Sequence, residues 1–279
     1  MRGVFFITIA LYPILGFGQE CMVTTPTSTT QTEHYLNLFI KTDFSSPYSG
    51  YEINEFLSKL DAKRTSFKHD RDFLHYLFFR THQKLLKRYT EYCPFDAILK
   101  NGTYNCLTGT ALYAVLLNHF NFDYEVIETN YHIFLMVKTS VGKILFEATD
   151  PSSGFVDSER EIQTRINTYK ENQIAKNSAE KAYYLYDFNL YNSVSMEQLL
   201  GLMYYNLSID AYNKHDLSAS INYLDQSARL YQSPRTESLS RIILLTVAEQ
   251  DFTKMEKENC LEKIQSLRKK MPGLTSAKQ

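Results

Sequence analysis

The sequence predicts an α+β protein in which helices come first, an antiparallel sheet follows, and paired helices close the chain. Three observations predict it. Apolar residues recur at helical spacing through residues 33–92. Two runs rich in Val, Ile and Phe, Asp123–Thr129 and Tyr131–Lys138, precede a turn and a return strand at Lys143–Ala148. From Met196 onward the helical period returns, in segments broken by polar turns.

Composition narrows the function classes. The chain has 279 residues, long enough for one medium domain and an accessory module, and 44% of it is hydrophobic, enough to bury a core. Lys and Arg number 30 against 31 Asp and Glu. That balance gives no basic footprint for nucleic acid, so no nucleic-acid partner is expected. Tyr and Phe are abundant and Trp is absent; the aromatics read as packing residues.

The first segment reads as an export signal. Met1-Arg2 gives a positive start, Val4–Leu15 is largely apolar, and Gly16 and Gly18 supply small residues ahead of Gln19. We expect a signal peptide over residues 1–18 and a periplasmic or secreted protein. The run is short of the roughly 20 apolar residues that span a bilayer, so no stable membrane span is expected. Gly18-Gln19-Glu20 does not fit a lipoprotein site at Cys21. Residues 19–32 read as a polar linker, with TTPTSTTQT at its centre.

Residues 33–160 read as the core domain. Ile53, Phe56, Leu57 and Leu60 mark one helical face, and Phe73, Leu74, Leu77, Phe78, Leu85 and Leu86 another. Asn101-Gly102 is a turn, after which Cys106–Phe120 carries the stripe Leu107, Ala111, Ala114, Val115 and Leu117. Residues 161–195 read as a connecting segment with a polar helix over Glu161–Asn172. Residues 196–272 read as helix pairs, Met196–Lys214 with Leu217–Tyr231 and Glu237–Glu249 with Asp251–Lys270. Residues 273–279 form a tail.

Four cysteines are present: Cys21, Cys93, Cys106 and Cys260. Cys106 stands apart because it opens a predicted helix. Helix starts expose unpaired N–H groups and partial positive charge, which stabilise a thiolate and the oxyanion of an acyl intermediate. With Cys106 set aside, at most one disulfide is left among the others, and spacing does not choose the pair. His132 opens the second predicted strand. A three-residue hairpin loop, Ser140-Val141-Gly142, would pair Thr139 with Lys143 and bring His132 opposite Asp150 on one face. In that register Glu147 faces the other way, so Asp150 is the expected orienter of the imidazole. No CxxC or HxxxH spacing suggests a metal site, and no cofactor is expected. Asn101-Gly102-Thr103 and Asn206-Leu207-Ser208 fit the glycosylation pattern, which carries meaning only in a eukaryotic secretory host.

A helix opening with Cys (YNCLTGTALYAVLL), a strand opening with His (YHIFLMVK) and a strand ending in Asp-Pro (FEATDP) resemble the transglutaminase-like superfamily. The match covers residues 101–151. It implies a papain-like core with an antiparallel sheet and a Cys106–His132–Asp150 triad of nucleophile, general base and orienter. The stretch Leu200–Pro234 resembles a tetratricopeptide repeat, with Ser220 and Ser227 at the usual alanine positions, similar to bacterial members with C-terminal helical repeats. The chain departs from the family pattern in having no indole donor for the oxyanion, and neither Asn105 nor a Tyr is assigned that role.

The resemblance implies acyl transfer from an amide of a protein or peptide substrate through a Cys106 thioester. Water as acceptor gives a peptidase or amidase; an amine gives cross-linking. The alternative is a catalytically silent scaffold that binds a protein partner through its C-terminal helices.

Overall fold

The computed structural model describes residues 28–42, 51–170, 190–249 and 253–271. The expected signal peptide at 1–18, Cys21 and residues 171–189 of the expected connecting segment lie outside the described residues. Residues 28–32 are the exception within the expected linker. They form the first turns of α1 (Ser28–Ile40), and Thr32 is buried there.

Helices α2 (Tyr51–Arg64) and α3 (Asp70–Lys84) follow, then β1 (Arg88–Tyr89), α4 (Asp96–Asn101) and β2 (Thr103–Tyr104). Gly102 closes α4 at φ 76°, where its missing Cβ removes the left-handed penalty. Strands β1 and β2 pair in parallel, Tyr89 opposite Tyr104. Helix α5 (Cys106–His119) is buried almost all round, as expected of a helix whose apolar residues are not confined to one stripe.

The sheet is built by β3 (Asp123–Thr129), β4 (Ile133–Thr139), β5 (Gly142–Phe146), β6 (Phe155–Val156) and β7 (Tyr191–Val194). Its order is β6-β5-β4-β3-β7, and every neighbouring pair is antiparallel. Period-two alternation separates the two faces. Leu135, Val137, Ile144 and Phe146 join the main core with α5 and the N-terminal helices. Phe134, Met136 and Leu145 meet Ile162 and Ile166 of α6 (Glu159–Lys170) on the other face. The expected polar helix is therefore a half-buried layer of the sheet.

The chain ends in α7 (Met196–Asn213), α8 (Leu217–Leu230), α9 (Pro234–Glu249) and α10 (Lys254–Lys269). Small residues let α7 and α8 approach closely. A Cβ on Gly201 would lie 2.9 Å from the Tyr231 Cβ, and Ser208 Oγ donates to the Ser220 carbonyl at 2.7 Å. Helix α7 belongs to two cores: Leu199, Leu202 and Met203 pack into the main one, Tyr205 and Ile209 against the following helices. A buried ion pair adds a second tie. Arg235 Nε lies 2.7 Å from Glu128 Oε1, and the Tyr231 hydroxyl donates to Glu128 Oε2 at 2.6 Å. Among the described residues no helix is long and apolar enough to cross a membrane.

Candidate active site

Cys106 is the first residue of α5, and the residues around it fix that helix start. Asn105 is the N-cap: its Oδ1 accepts from the Thr108 N–H at 2.8 Å, while the Thr108 hydroxyl accepts from the Asn105 N–H at 3.0 Å. The Asn105 amide donates to the Glu91 carbonyl at 3.2 Å, so both ends of this side chain are engaged in structure. Of the first-turn N–H groups, that of Thr108 is taken by the Asn105 cap, and those at the very start of α5 have no partner four residues back within the helix.

His132 immediately precedes β4. Its backbone N–H donates to Thr129 Oγ1 at 3.1 Å, and its carbonyl accepts from the Thr129 N–H at 2.8 Å. Thr110 of α5 donates to the carbonyl of Ile133 at 3.3 Å, which locks the helix carrying the cysteine against the strand carrying the histidine. Its Nε2 bonds the Glu147 carboxylate, and the ring lines the same cleft as Cys106, whose sulfur acts on its proton affinity. With Nε2 on Glu147, Nδ1 is the ring nitrogen left for another partner.

The expected partner of the imidazole, Asp150, is elsewhere. Its Oδ1 accepts from the Ser153 N–H at 2.9 Å and the Ser152 hydroxyl at 3.2 Å, and its Oδ2 accepts from Arg165 at 3.2 Å. Burial acts to raise the Asp150 pKa, but these bonds outweigh it and hold the carboxyl below its ordinary value. Asp150 ties the turn after β5 to α6.

The correction traces to one residue of register. The hairpin loop is the two-residue Ser140-Val141, so Thr139 pairs with Gly142 and Leu135 with Phe146. Gly142 takes φ 141°, a region closed to side chains, inside the ladder instead of in the loop. A one-residue slip moves every side chain to the opposite face. Glu147 follows Phe146 and so shares the face of Phe134 and His132, from which its carboxylate reaches the ring diagonally.

Glu147 is held on all sides. The Thr149 hydroxyl donates to Oε1 at 2.6 Å and the Thr149 N–H at 3.0 Å, while the Tyr169 hydroxyl of α6 donates to Oε2 at 2.9 Å. Only 4% of its side chain is exposed. Burial opposes its charge, yet the His132 contact and the Thr149 bonds pull its pKa below the ordinary value. For His132, burial also opposes the charge, and the Cys106 and Glu147 bonds overcome it, pushing the ring up to about 10. Both interactions favour the protonated ring.

Glu147 was open to detection in the sequence. An acidic residue inside the apolar return strand (KILFEA) needs a buried partner, because an unpaired charge there is costly. Tyr169 had no comparable signal, since its role depends on α6 crossing the sheet. Among the described residues Cys93, Cys106 and Cys260 are free thiols. Burial pushes Cys93 up to about 11, which makes it a poor nucleophile beside Cys106.

A cleft of about 230 Å³ opens at Cys106 and His132. Tyr89, Glu91 and Tyr92 line it, together with residues of α7 and Arg235. No family model, no curated protein and no solved structure matches this chain.

Proposed function

We propose that the protein is a thiol-dependent acyl-transfer enzyme of the transglutaminase-like kind, with Cys106 as nucleophile, His132 as general base and acid, and Glu147 as orienter. One observation carries this reading: the imidazole of His132 shares a cleft with a cysteine at a capped helix start, and a buried carboxylate holds its Nε2. A histidine kept only for packing has no need of both.

In the proposed cycle His132 holds the proton taken from the Cys106 thiol, and the resulting thiolate attacks the carbonyl carbon of an amide. The negative oxygen that forms is met by N–H groups at the start of α5. Tyr89, half-exposed in the same cleft, is the second donor we assign. Burial and the neighbouring Cys106 push its phenol up to about 12, so it keeps its proton at neutral pH. The His132 imidazolium returns a proton to the leaving amine, and a thioester remains on Cys106. Water or an amine then attacks the thioester, His132 accepting its proton, and the sulfur is released. The substrate we propose is a protein or peptide amide. The C-terminal helices we read as tetratricopeptide-like hairpins joined to the core, and the apolar run before Gln19 as an export signal to a periplasmic or extracellular site.

The test is labelling of Cys106 by an alkyne-tagged acylating probe, located by mass spectrometry, in the unaltered protein and in His132→Ala. General-base assistance is worth about 10²–10⁴-fold, and a loss of that size is expected at neutral pH. Equal labelling of the two proteins overturns the proposal.

A further inference from the structure

The cleft at Cys106 is walled on one side by a helix that the sequence places in a separate module. Leu202 and Ile209, seven residues apart and so about two turns apart on one face of α7, line it with Leu107 and Ile133. Leu107 directly follows the nucleophile and Ile133 directly follows the base. An apolar surface therefore begins one residue from each reacting group. Leu202 and Ile209 are 6% and 7% exposed, fixed by packing into the main and C-terminal cores, so the wall is preformed.

Charge and size narrow the occupant further. Glu128 and Arg235 pair with each other at 2.7 Å, and the other acidic lining residue is Glu91, so the cleft disfavours an anionic side chain. The cleft holds about 230 Å³. Sites for drug-sized ligands hold about 300–1,000 Å³, so this one fits a single side chain with its adjoining amide.

We propose that the α7 wall is a substrate subsite that receives an uncharged apolar side chain, leucine- to phenylalanine-sized, on the residue bearing the reacting carbonyl. This rests on the acyl-transfer reading and adds to it the substrate class. It also gives the C-terminal helices a part in specificity, because the core domain alone supplies only half of the subsite.

The test uses the full chain and three dipeptidyl chloromethyl ketones that differ only at the residue next to the reactive carbon: Gly, Leu or Asp. The rate of Cys106 alkylation is read by mass spectrometry. Filling an apolar subsite is worth at least about tenfold, so the Leu probe should outrun the Gly probe by roughly tenfold or more, and the Asp probe should be slowest. In Leu202→Ala and in Ile209→Ala the Leu-to-Gly ratio should fall at least about threefold, since each variant removes part of the contact. The ratio is taken within one protein, so a partly unfolded variant lowers both rates together. A ratio near one in the unaltered protein, an Asp probe that outruns Leu, or a ratio retained in both variants overturns the subsite. The His132→Ala comparison judges the acyl-transfer reading separately, and either can fall without the other.

Discussion

Replacing Glu147 with Gln keeps the shape of the side chain and removes its charge, and the structure sets the size of the effect. His132 has 18% of its side chain exposed and Glu147 has 4%, so solvent screens the pair weakly. Burial alone would drive the ring toward neutrality; the Cys106 and Glu147 bonds reverse this and carry its pKa from 6.5 to about 10. At about 1.4 kcal/mol per pH unit, that displacement is on the order of 5 kcal/mol in favour of the protonated ring, net of burial, so Cys106 and Glu147 together contribute more than this. Breaking a buried ion pair costs about 3–5 kcal/mol, which makes Glu147 a large share of the effect. In Glu147→Gln the His132 titration should fall by roughly two pH units or more. Acylation of Cys106 should drop about 10²–10⁴-fold, because the ring loses its orientation as well as its charge. Asp150→Asn should stay within about threefold of the unaltered rate, as its partners lie in the turn and on α6.

Proton NMR of the imidazole across pH 5–11, paired with acylation rates, reads both quantities. The linkage has a definite sign. The raised His132 pKa contributes stability that is fully present below about 6.5 and is lost as pH rises through about 10. The lowered Glu147 pKa contributes stability present above its ordinary 4.5 and lost as pH falls. The unaltered protein should therefore lose stability from this pair at both ends, with a plateau between, and Glu147→Gln should lose that plateau. A His132 that titrates near 6.5 in the unaltered protein refutes the reasoning. So does an Asp150→Asn variant that shifts the ring as far as Glu147→Gln.

Two further outcomes concern what holds the site. In Gly154→Ala the new Cβ would lie 2.2 Å from the Glu147 carbonyl oxygen and 2.4 Å from that of Asp150, both main-chain atoms that cannot swing aside. Overpacking costs about 1–3 kcal/mol, so the Tm should fall by roughly 3–10 °C, with acylation reduced as the turn carrying Glu147 shifts; an unchanged Tm refutes the constraint. For the tie between sheet and C-terminal helices, Glu128→Gln removes the buried carboxylate that faces the part-buried Arg235 and should cost up to about 3–5 kcal/mol in urea unfolding. Adding Arg235→Met should recover part of the loss, and a double variant equal to the sum of the single ones would show that the two side chains do not act as a pair.

Much of this protein is decided locally and is legible in its sequence. The apolar spacing of α3, α5 and the α7–α8 pair marks those helices because each must bury a face whatever surrounds it. Cys106 and His132 could be found for the same reason: each opens an element, one at a helix start and the other ahead of a strand. The third member of the site depends on register. A hairpin loop of two residues instead of three exchanges Asp150 for Glu147, and the turn residues Ser140, Val141 and Gly142 permit either loop. Tertiary packing makes the choice, since only the observed register puts Leu135 and Phe146 against α5 while Phe134 and Leu145 meet α6. The remaining parts of the site come from far along the chain. Tyr169 reaches Glu147 across 22 positions, and Arg235 reaches Glu128 across 107. Periodicity reports which face of an element is buried, whereas which element covers that face is settled by long-range contacts that no local pattern encodes.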